Sequence, residues 1–227
     1  MPKYKRVGGS KKMYIKIKRG IDLILALGLL IIFGIPMCII AICIKLEDGG
    51  QVIYKSKRMG KGLKEFNVYK FRSMTTKREE LHSNLSHEQM VTKVGKVIRK
   101  TSLDELPQLF NILKGEMSFI GPRPWIPEYY VWFTDEQKRR AEVLPGISGL
   151  AQVRGRNGIN IFKKIEYDIQ YVDNISFNED VKLVIETIKT VFSKVNAEIS
   201  EQGIKKEIHD LQVQNVKTEN IKYKEVV

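Results

Sequence analysis

The chain has 227 residues, a formal net charge of +13 and two cysteines. That length holds one membrane segment and one modest globular domain with its own core, so one catalytic or binding unit is expected rather than two. Cys38 and Cys43 lie in one apolar run, about 140° apart around a helix, and His82, His87 and His209 lack ligand spacing, so no disulfide or metal framework is indicated.

Residues 1 to 21 carry eight basic groups and no acid. Such a block attracts polyanions, either nucleic acid or anionic lipid headgroups; the plain alternative is a solvated arm. A basic start before an apolar stretch superficially resembles a signal peptide. The apolar part is too long and no small-residue cleavage site follows, so the segment is expected to be retained.

From Leu23 to Ile44 there are 22 uncharged residues. As one straight helix they reach about 33 Å, enough for a hydrocarbon core of about 30 Å. Charge argues the other way, because the segment after the run is also basic and both flanks favour the cytoplasmic side. Pro36 removes a backbone donor and Gly34 makes a bend cheap, which gives two arms of roughly 11 and 8 residues, each reaching halfway. A re-entrant hairpin broken at Gly34 and Pro36 fits the charges, a kinked span fits the length, and physics alone leaves both open.

Beyond the run, Gln51 to Ser56 and Phe66 to Phe71 read as two short strands joined by a turn around Gly60 and Gly62. Residues 77 to 100 are polar and helix-prone. Four of the seven prolines fall between 107 and 127, so "IGPRPWIP" is expected to be a stiff, shaped loop. Glu128 to Val143 reads as helix amid aromatic residues, "LPGISGLAQVRGRNG" as a glycine-rich loop, and Ile161 to Val172 and Glu179 to Val195 as helices. On the last, Val181, Val184, Ile188, Val191 and Val195 share one face, for the core or a membrane surface. The chain past Ala197 is expected to be a helical or disordered tail without chemistry.

"SLDELPQ" carries the most chemistry. Ser102 and Glu105 match a capping box, but Pro107 would then fall beyond the first turn, so the helix is expected to begin nearer Asp104. Capping thus explains one acid, not both. Asp104 at a helix N-terminus would be held ionised, as a nucleophile must be. Adjacent carboxylates suit Mg2+ and phosphate better than a glycosidic bond, which wants two groups about 5 to 9.5 Å apart. A carboxylate approaching a phosphoryl group meets like charge, about 4 kcal/mol per pair at 4 Å in a surface-like dielectric, so cations must be close. The candidates are Lys70, Arg72, Arg99, Arg123, Arg154 and Arg156. Any one of them alone reads first as an exposed basic residue; Arg123, its backbone fixed between Pro122 and Pro124, is the exception.

At "YKFRSM" (Tyr69 to Met74), "IRKTSLDELPQLFNILKGEMSFIGPRP" (Ile98 to Pro124) and "PGISGLAQVRGRN" (Pro145 to Asn157), the sequence resembles the bacterial sugar transferase family, specifically its small monotopic polyprenyl-phosphate phosphoglycosyl transferases. The resemblance covers about residues 14 to 196. It implies a mainly helical α+β fold: a basic arm (1–20), a re-entrant membrane helix (21–45), a small cytoplasmic catalytic domain with a short β-hairpin (46–197) and a tail (198–227). It also implies transfer of a sugar phosphate from a UDP-sugar to undecaprenyl phosphate, giving undecaprenyl-diphosphate-sugar and UMP, at the cytoplasmic face of the membrane. The product would pass to downstream glycosyltransferases of capsule, exopolysaccharide or glycoprotein glycan assembly.

The family's pattern makes Asp104 the nucleophile of a covalent phosphosugar intermediate and Glu105 its neighbour for the metal or the acceptor proton, with Mg2+ required. Arg99 and Arg123 match positions that hold substrate phosphates, and Pro122 and Pro124 shape the nucleotide loop that carries Arg123. The family breaks its membrane helix at a Ser-Pro pair; here Ile35 precedes Pro36, so a break rests on Pro36 and Gly34. A membrane-tethered nucleic-acid-binding protein, suggested by the charge, and an envelope scaffold are the competing readings. Neither gives a reason for Asp104, Glu105 and the Pro-Arg-Pro loop, and nucleic acid is not expected as a partner.

Overall fold

The computed structural model describes residues 9–75, 89–155, 159–192 and 206–213. Its longest element is α1, Gly9–Asp48, a single 40-residue helix with Pro36 inside it. Gly34 and Pro36 therefore do not divide the segment into two helices, as the sequence led us to expect. A proline in mid-helix removes one hydrogen bond and bends the axis, while the apolar residues on either side keep the remaining backbone bonds.

One stripe of α1 packs on the rest of the chain. Lys18, Asp22, Ala26, Met37, Ile40 and Ile44 are buried, a recurrence of three to four residues that keeps one face inward. The outward face is apolar too, with Ile24, Ile31, Ile35 and Leu46 all more than 70 % exposed. The helix is long and apolar enough to cross a membrane, and only 11 % of its most apolar stretch is buried. A face of this kind on a folded chain marks a contact with lipid or another apolar surface.

Both ends of α1 are fastened to the same body. Near its start, Lys18 and the Tyr14 hydroxyl donate to Asp180 at 2.6 and 2.5 Å, and Arg19 donates to the carbonyls of Ile112 and Leu113. At its end, Asp48 pairs with Arg72, and Glu47 accepts from the backbone N–H of Lys93 and Val94.

Strands β1 (Ile53–Met59) and β2 (Glu65–Phe71) form an antiparallel hairpin in which Ile53 faces Phe71 and Met59 faces Glu65. The first strand runs three residues further than expected. Gly62 takes a positive φ of 67° in the turn, a conformation that favours glycine. Helix α2 (Lys93–Lys100) is capped by the Thr92 hydroxyl. Its Gly95 lies so close to the Ser73 carbonyl that a Cβ there would meet the oxygen at 2.1 Å.

Helix α3 (Gln108–Lys114) ends at Gly115, φ 82°, whose N–H and that of Glu116 close the last turn onto Ile112 and Asn111. Two short parallel strands that the sequence did not suggest follow, β3 (Ser118–Ile120) and β4 (Gly146–Ser148). Where one helix was expected over Glu128 to Val143, there are a 3-10 turn (Pro127–Val131), α4 (Asp135–Lys138) and a further 3-10 turn (Arg139–Glu142). Thr134 and Gln137 form a capping box that restarts the helix in mid-segment.

Helix α5 (Leu150–Gly155) occupies part of the expected glycine-rich loop. Helices α6 (Ile161–Asn174) and α7 (Phe177–Phe192) fall close to their expected places. On α7, Val181, Val184 and Ile188 are 41–52 % exposed, while Leu183 enters the core beside Tyr171 and Val172. Residues 206–213 are helical and dock on the aromatic cluster of Tyr129, Tyr130 and Phe133 through Leu211, while Glu207 accepts from Tyr129 and Lys164. Residues 1–8, 76–88, 156–158, 193–205 and 214–227, which include much of the basic arm and of the tail, lie outside the described residues.

Candidate active site

Asp104 and Glu105 sit on a 3-10 turn, Leu103–Glu105, between α2 and α3. Ser102 before them has φ 56°, a left-handed conformation that a serine adopts only when its surroundings impose it. Its side chain makes no capping bond, so no capping box ties up Glu105, and the α-helix expected to begin nearer Asp104 starts only at Gln108. Pro107 stands at the cap of α3, past both acids. The turn delivers two adjacent carboxylates to one place without committing either to a helix end.

Three other segments bring cations to them. Lys70, on β2, donates to Glu105 Oε1 at 2.6 Å and stands 4.0 Å from Asp104 Oδ2. Arg123, in the Pro-Arg-Pro loop after β3, places Nη2 3.9 Å from Glu105 Oε1 with half of its side chain exposed. Arg99, from α2, acts electrostatically on Asp104 and donates from Nε to Ser73 Oγ at 2.9 Å.

The two acids respond in opposite directions. Burial pushes the Asp104 carboxyl above the ordinary carboxylate range; Lys70 and Arg99 oppose this and Glu105 adds to it. Burial also pushes Glu105 up, but Lys70, Arg123 and hydrogen bonds from Lys70 and Gln108 outweigh it, leaving that carboxyl below its usual value. Asp104 is thus not simply held ionised by a helix terminus: its charge depends on the cations around it.

The fold keeps these parts in register. Asn111, buried on α3, accepts from the Tyr69 N–H at 3.0 Å and donates to the Asn67 carbonyl and to Glu116, both at 2.7 Å. That fixes β2, and Lys70 with it, against the helix that follows the carboxylates. The Arg123 loop is pinned to β4 by Gly121 N–H to Ser148 O at 2.9 Å and Gly146 N–H to Pro122 O at 3.0 Å. These bonds require three glycines. A Cβ on Gly146 would lie 2.1 Å from the Gly121 nitrogen, and one on Gly149 would lie 2.1 Å from the Gly121 oxygen. Asn111 was missed in the sequence, although a polar residue amid "LFNIL" is the signal that could have found it.

The remaining expected cations lie elsewhere. Arg72 is buried and forms a bidentate pair with Asp48, with further bonds to the carbonyls of Gln51 and Met74. Arg154, on α5, faces Glu186 of α7 at 3.8 Å. Arg156 lies outside the described residues. Arg58, which the sequence did not single out, is close enough to Arg123 for the two charges to act on each other. A cleft of about 350 Å³ lies on α7 between Phe177 and Lys189 and shares no residue with the carboxylates.

Two carboxylates ringed by three cations, on loops pinned to a small sheet, is an arrangement suited to phosphate. Comparisons with known proteins identify the family. Residues 13–194 match the model of the family described as bacterial sugar transferase. The chain belongs to this family. It is 44 % identical to the uncharacterized sugar transferase EpsL of Bacillus subtilis, over 77 % of this chain and 87 % of that one. It is 42 % identical to the UDP-N-acetylgalactosamine-undecaprenyl-phosphate N-acetylgalactosaminephosphotransferase of Aeromonas hydrophila, over 82 % of this chain and 46 % of that one. Against the UDP-glucose:undecaprenyl-phosphate glucose-1-phosphate transferase of Escherichia coli the identity is 37 %, over 76 % of this chain and 39 % of that one. This sugar transferase therefore spans most of EpsL and less than half of the other two relatives.

Proposed function

We propose that this sugar transferase moves a sugar 1-phosphate from a UDP-sugar to undecaprenyl phosphate, through a covalent intermediate on Asp104, and releases UMP. The observation that carries this reading is the meeting of Asp104 and Glu105 with Lys70, Arg99 and Arg123 from three separate segments, in a chain whose relatives are named for such transfers. In the first step an Asp104 carboxylate oxygen attacks the sugar-proximal phosphorus, and the bond from that phosphorus to the bridging oxygen breaks as UMP leaves. In the second, an oxygen of the lipid phosphate attacks the same phosphorus and Asp104 departs as a carboxylate.

Lys70 neutralises the pair while the anionic donor approaches, and Arg123, half exposed, is free to meet a phosphate oxygen. Arg99 supports the ionised form of Asp104. Among the described residues no cluster of three metal-binding side chains occurs. A hard cation such as Mg2+ needs only one or two carboxylates when substrate oxygens complete its shell, so Asp104 and Glu105 are a fitting donor set. When bound there, Mg2+ would draw off charge from the phosphates.

Helix α1 supports the membrane reading. Its apolar outer face suits lipid, and both ends are fastened to one body, so a monotopic helix that enters and leaves at the cytoplasmic face agrees better than a span between separated ends. Cysteine labelling of the N-terminal arm in intact cells tests this: reactivity from outside would mean that α1 crosses.

The donors named for relatives differ, N-acetylgalactosamine in one and glucose in another, and no motif in this chain selects among them. The test is UMP release with undecaprenyl phosphate and Mg2+ across a panel of UDP-sugars. Release from one or a few donors is expected; release from none would refute the reading.

A further inference from the structure

Arg140 is the largest fully buried side chain of the described residues, and nothing in the chemistry above uses it. It lies on the 3-10 turn Arg139–Glu142, and each of its three nitrogens is hydrogen-bonded inside the fold. Nε and Nη2 both reach Asp168 Oδ2 of α6, at 3.0 and 2.6 Å, and Nη1 reaches the Tyr130 hydroxyl at 2.6 Å. Nη2 also donates to the backbone carbonyl of Arg123 at 2.6 Å, and the guanidinium lies over the Trp125 ring, 4.1 Å from its centroid.

Stability alone does not account for this pair. Taking two charges out of water costs about as much as their attraction returns, and well-packed apolar residues of similar volume often do as well or better. What an apolar replacement would lose is the hold on Arg123. The loop from Gly121 to Trp125 is pinned by backbone partners at Gly121, Pro122 and Trp125, the last through the Met59 N–H at 2.8 Å. Among the described residues, Arg123 itself is held at the backbone only by the Arg140 side chain. Pro124 pushes Arg123 towards extended geometry, but its ψ still decides where the carbonyl points and how the side chain leaves the loop. A planar fork fixed by two bonds to Asp168 and by the Trp125 ring sets that angle.

We infer that Arg140, held by Asp168, is a positioning residue that aims Arg123 at the Asp104 and Glu105 carboxylates and at the phosphate that reacts there. The catalytic half of this inference rests on the proposed function; the structural half does not.

Two readouts on Arg140→Lys, with the full chain in detergent micelles, test it. Lysine keeps the charge but has one nitrogen, which cannot serve Asp168, Tyr130 and the Arg123 carbonyl together. Without substrate, the amide order parameter of Arg123 is expected to fall from about 0.85 to below about 0.6. In UMP release, kcat is expected to fall about 10- to 100-fold, the scale of a small misplacement at a reacting centre. Adding Arg123→Ala to Arg140→Lys should cost no more than Arg123→Ala alone, within about twofold, because both act through one side chain.

Tyr130→Phe removes another hydrogen bond of the same guanidinium and should leave the Arg123 amide ordered. An unchanged order parameter in Arg140→Lys, equal disorder in Tyr130→Phe, or losses that multiply in the double variant would each overturn the inference. If the wild type released no UMP, the proposed function would fail, and the order parameters would still decide whether Arg140 holds Arg123.

Discussion

Lys70 Nζ lies 2.6 Å from Glu105 Oε1, inside hydrogen-bond distance, while Asp104 Oδ2 stands off at 4.0 Å. One lysine therefore neutralises Glu105 directly and supports Asp104 from a distance, leaving Asp104 free to react. Replacing it with methionine should lower UMP release by about 100-fold. The acid limb of kcat/KM should also move to higher pH. The reaction needs ionised Asp104, burial already raises that carboxyl, and Lys70 is the main influence lowering it. A pH profile of Lys70→Met with an unmoved acid limb would contradict this.

Asp104→Asn should separate activity from stability. The folded chain prefers the neutral acid, a preference that contributes stability below the ordinary carboxylate pKa and is lost as the pH rises through the raised value. At neutral pH the ionised group costs stability, and asparagine relieves that cost. UMP release should fall below about a thousandth of wild type, while Tm rises by about 2 °C or more. Thermal unfolding at pH 7 beside the activity assay checks both.

Arg72→Met should act on the fold and not on the donor. The Arg72–Asp48 pair is buried and ties the end of α1 to β2, so breaking it by removing Arg72 costs about 3–5 kcal/mol. Denaturant unfolding should show that loss, with the KM for the UDP-sugar unchanged in the folded fraction. A raised KM with intact stability would mean that Arg72 binds phosphate after all.

The hairpin, α6 and α7 were legible in the sequence because each rests on local signals: strand alternation and helical spacing. Arg72 and Arg123 were not distinguishable there. Both are arginines in motif segments, and only the distant Asp48, at the end of an apolar helix, shows that one is structural. Strands β3 and β4 are three residues each and pair across 25 intervening residues, so neither carries a periodicity to read. Arg140 was illegible for the same reason: its meaning lies in Asp168 and the Arg123 carbonyl, remote in sequence. The division into two helices at Pro36 was over-read, because a proline marks where a helix can bend, not that it stops.

Gly146→Ala should disable the site from a distance. A Cβ there would lie 2.1 Å from the Gly121 nitrogen, a backbone atom that cannot swing aside. The β3–β4 pairing that pins the Arg123 loop would have to open. We expect UMP release to fall at least tenfold, with a stability loss of about 1–3 kcal/mol, the range for overpacking a tight contact. Near-normal values of both would show that the loop does not depend on this approach.

The most direct test of the account is the covalent state of Asp104. Incubating the protein with its UDP-sugar in the absence of undecaprenyl phosphate, followed by an acid quench and peptide mass spectrometry, should place the mass of one sugar phosphate on the peptide bearing Asp104. That adduct should disappear when undecaprenyl phosphate is added and should be missing from Asp104→Asn. Transfer to the lipid by an enzyme on which no adduct ever forms, or an adduct that survives in Asp104→Asn, would contradict the account.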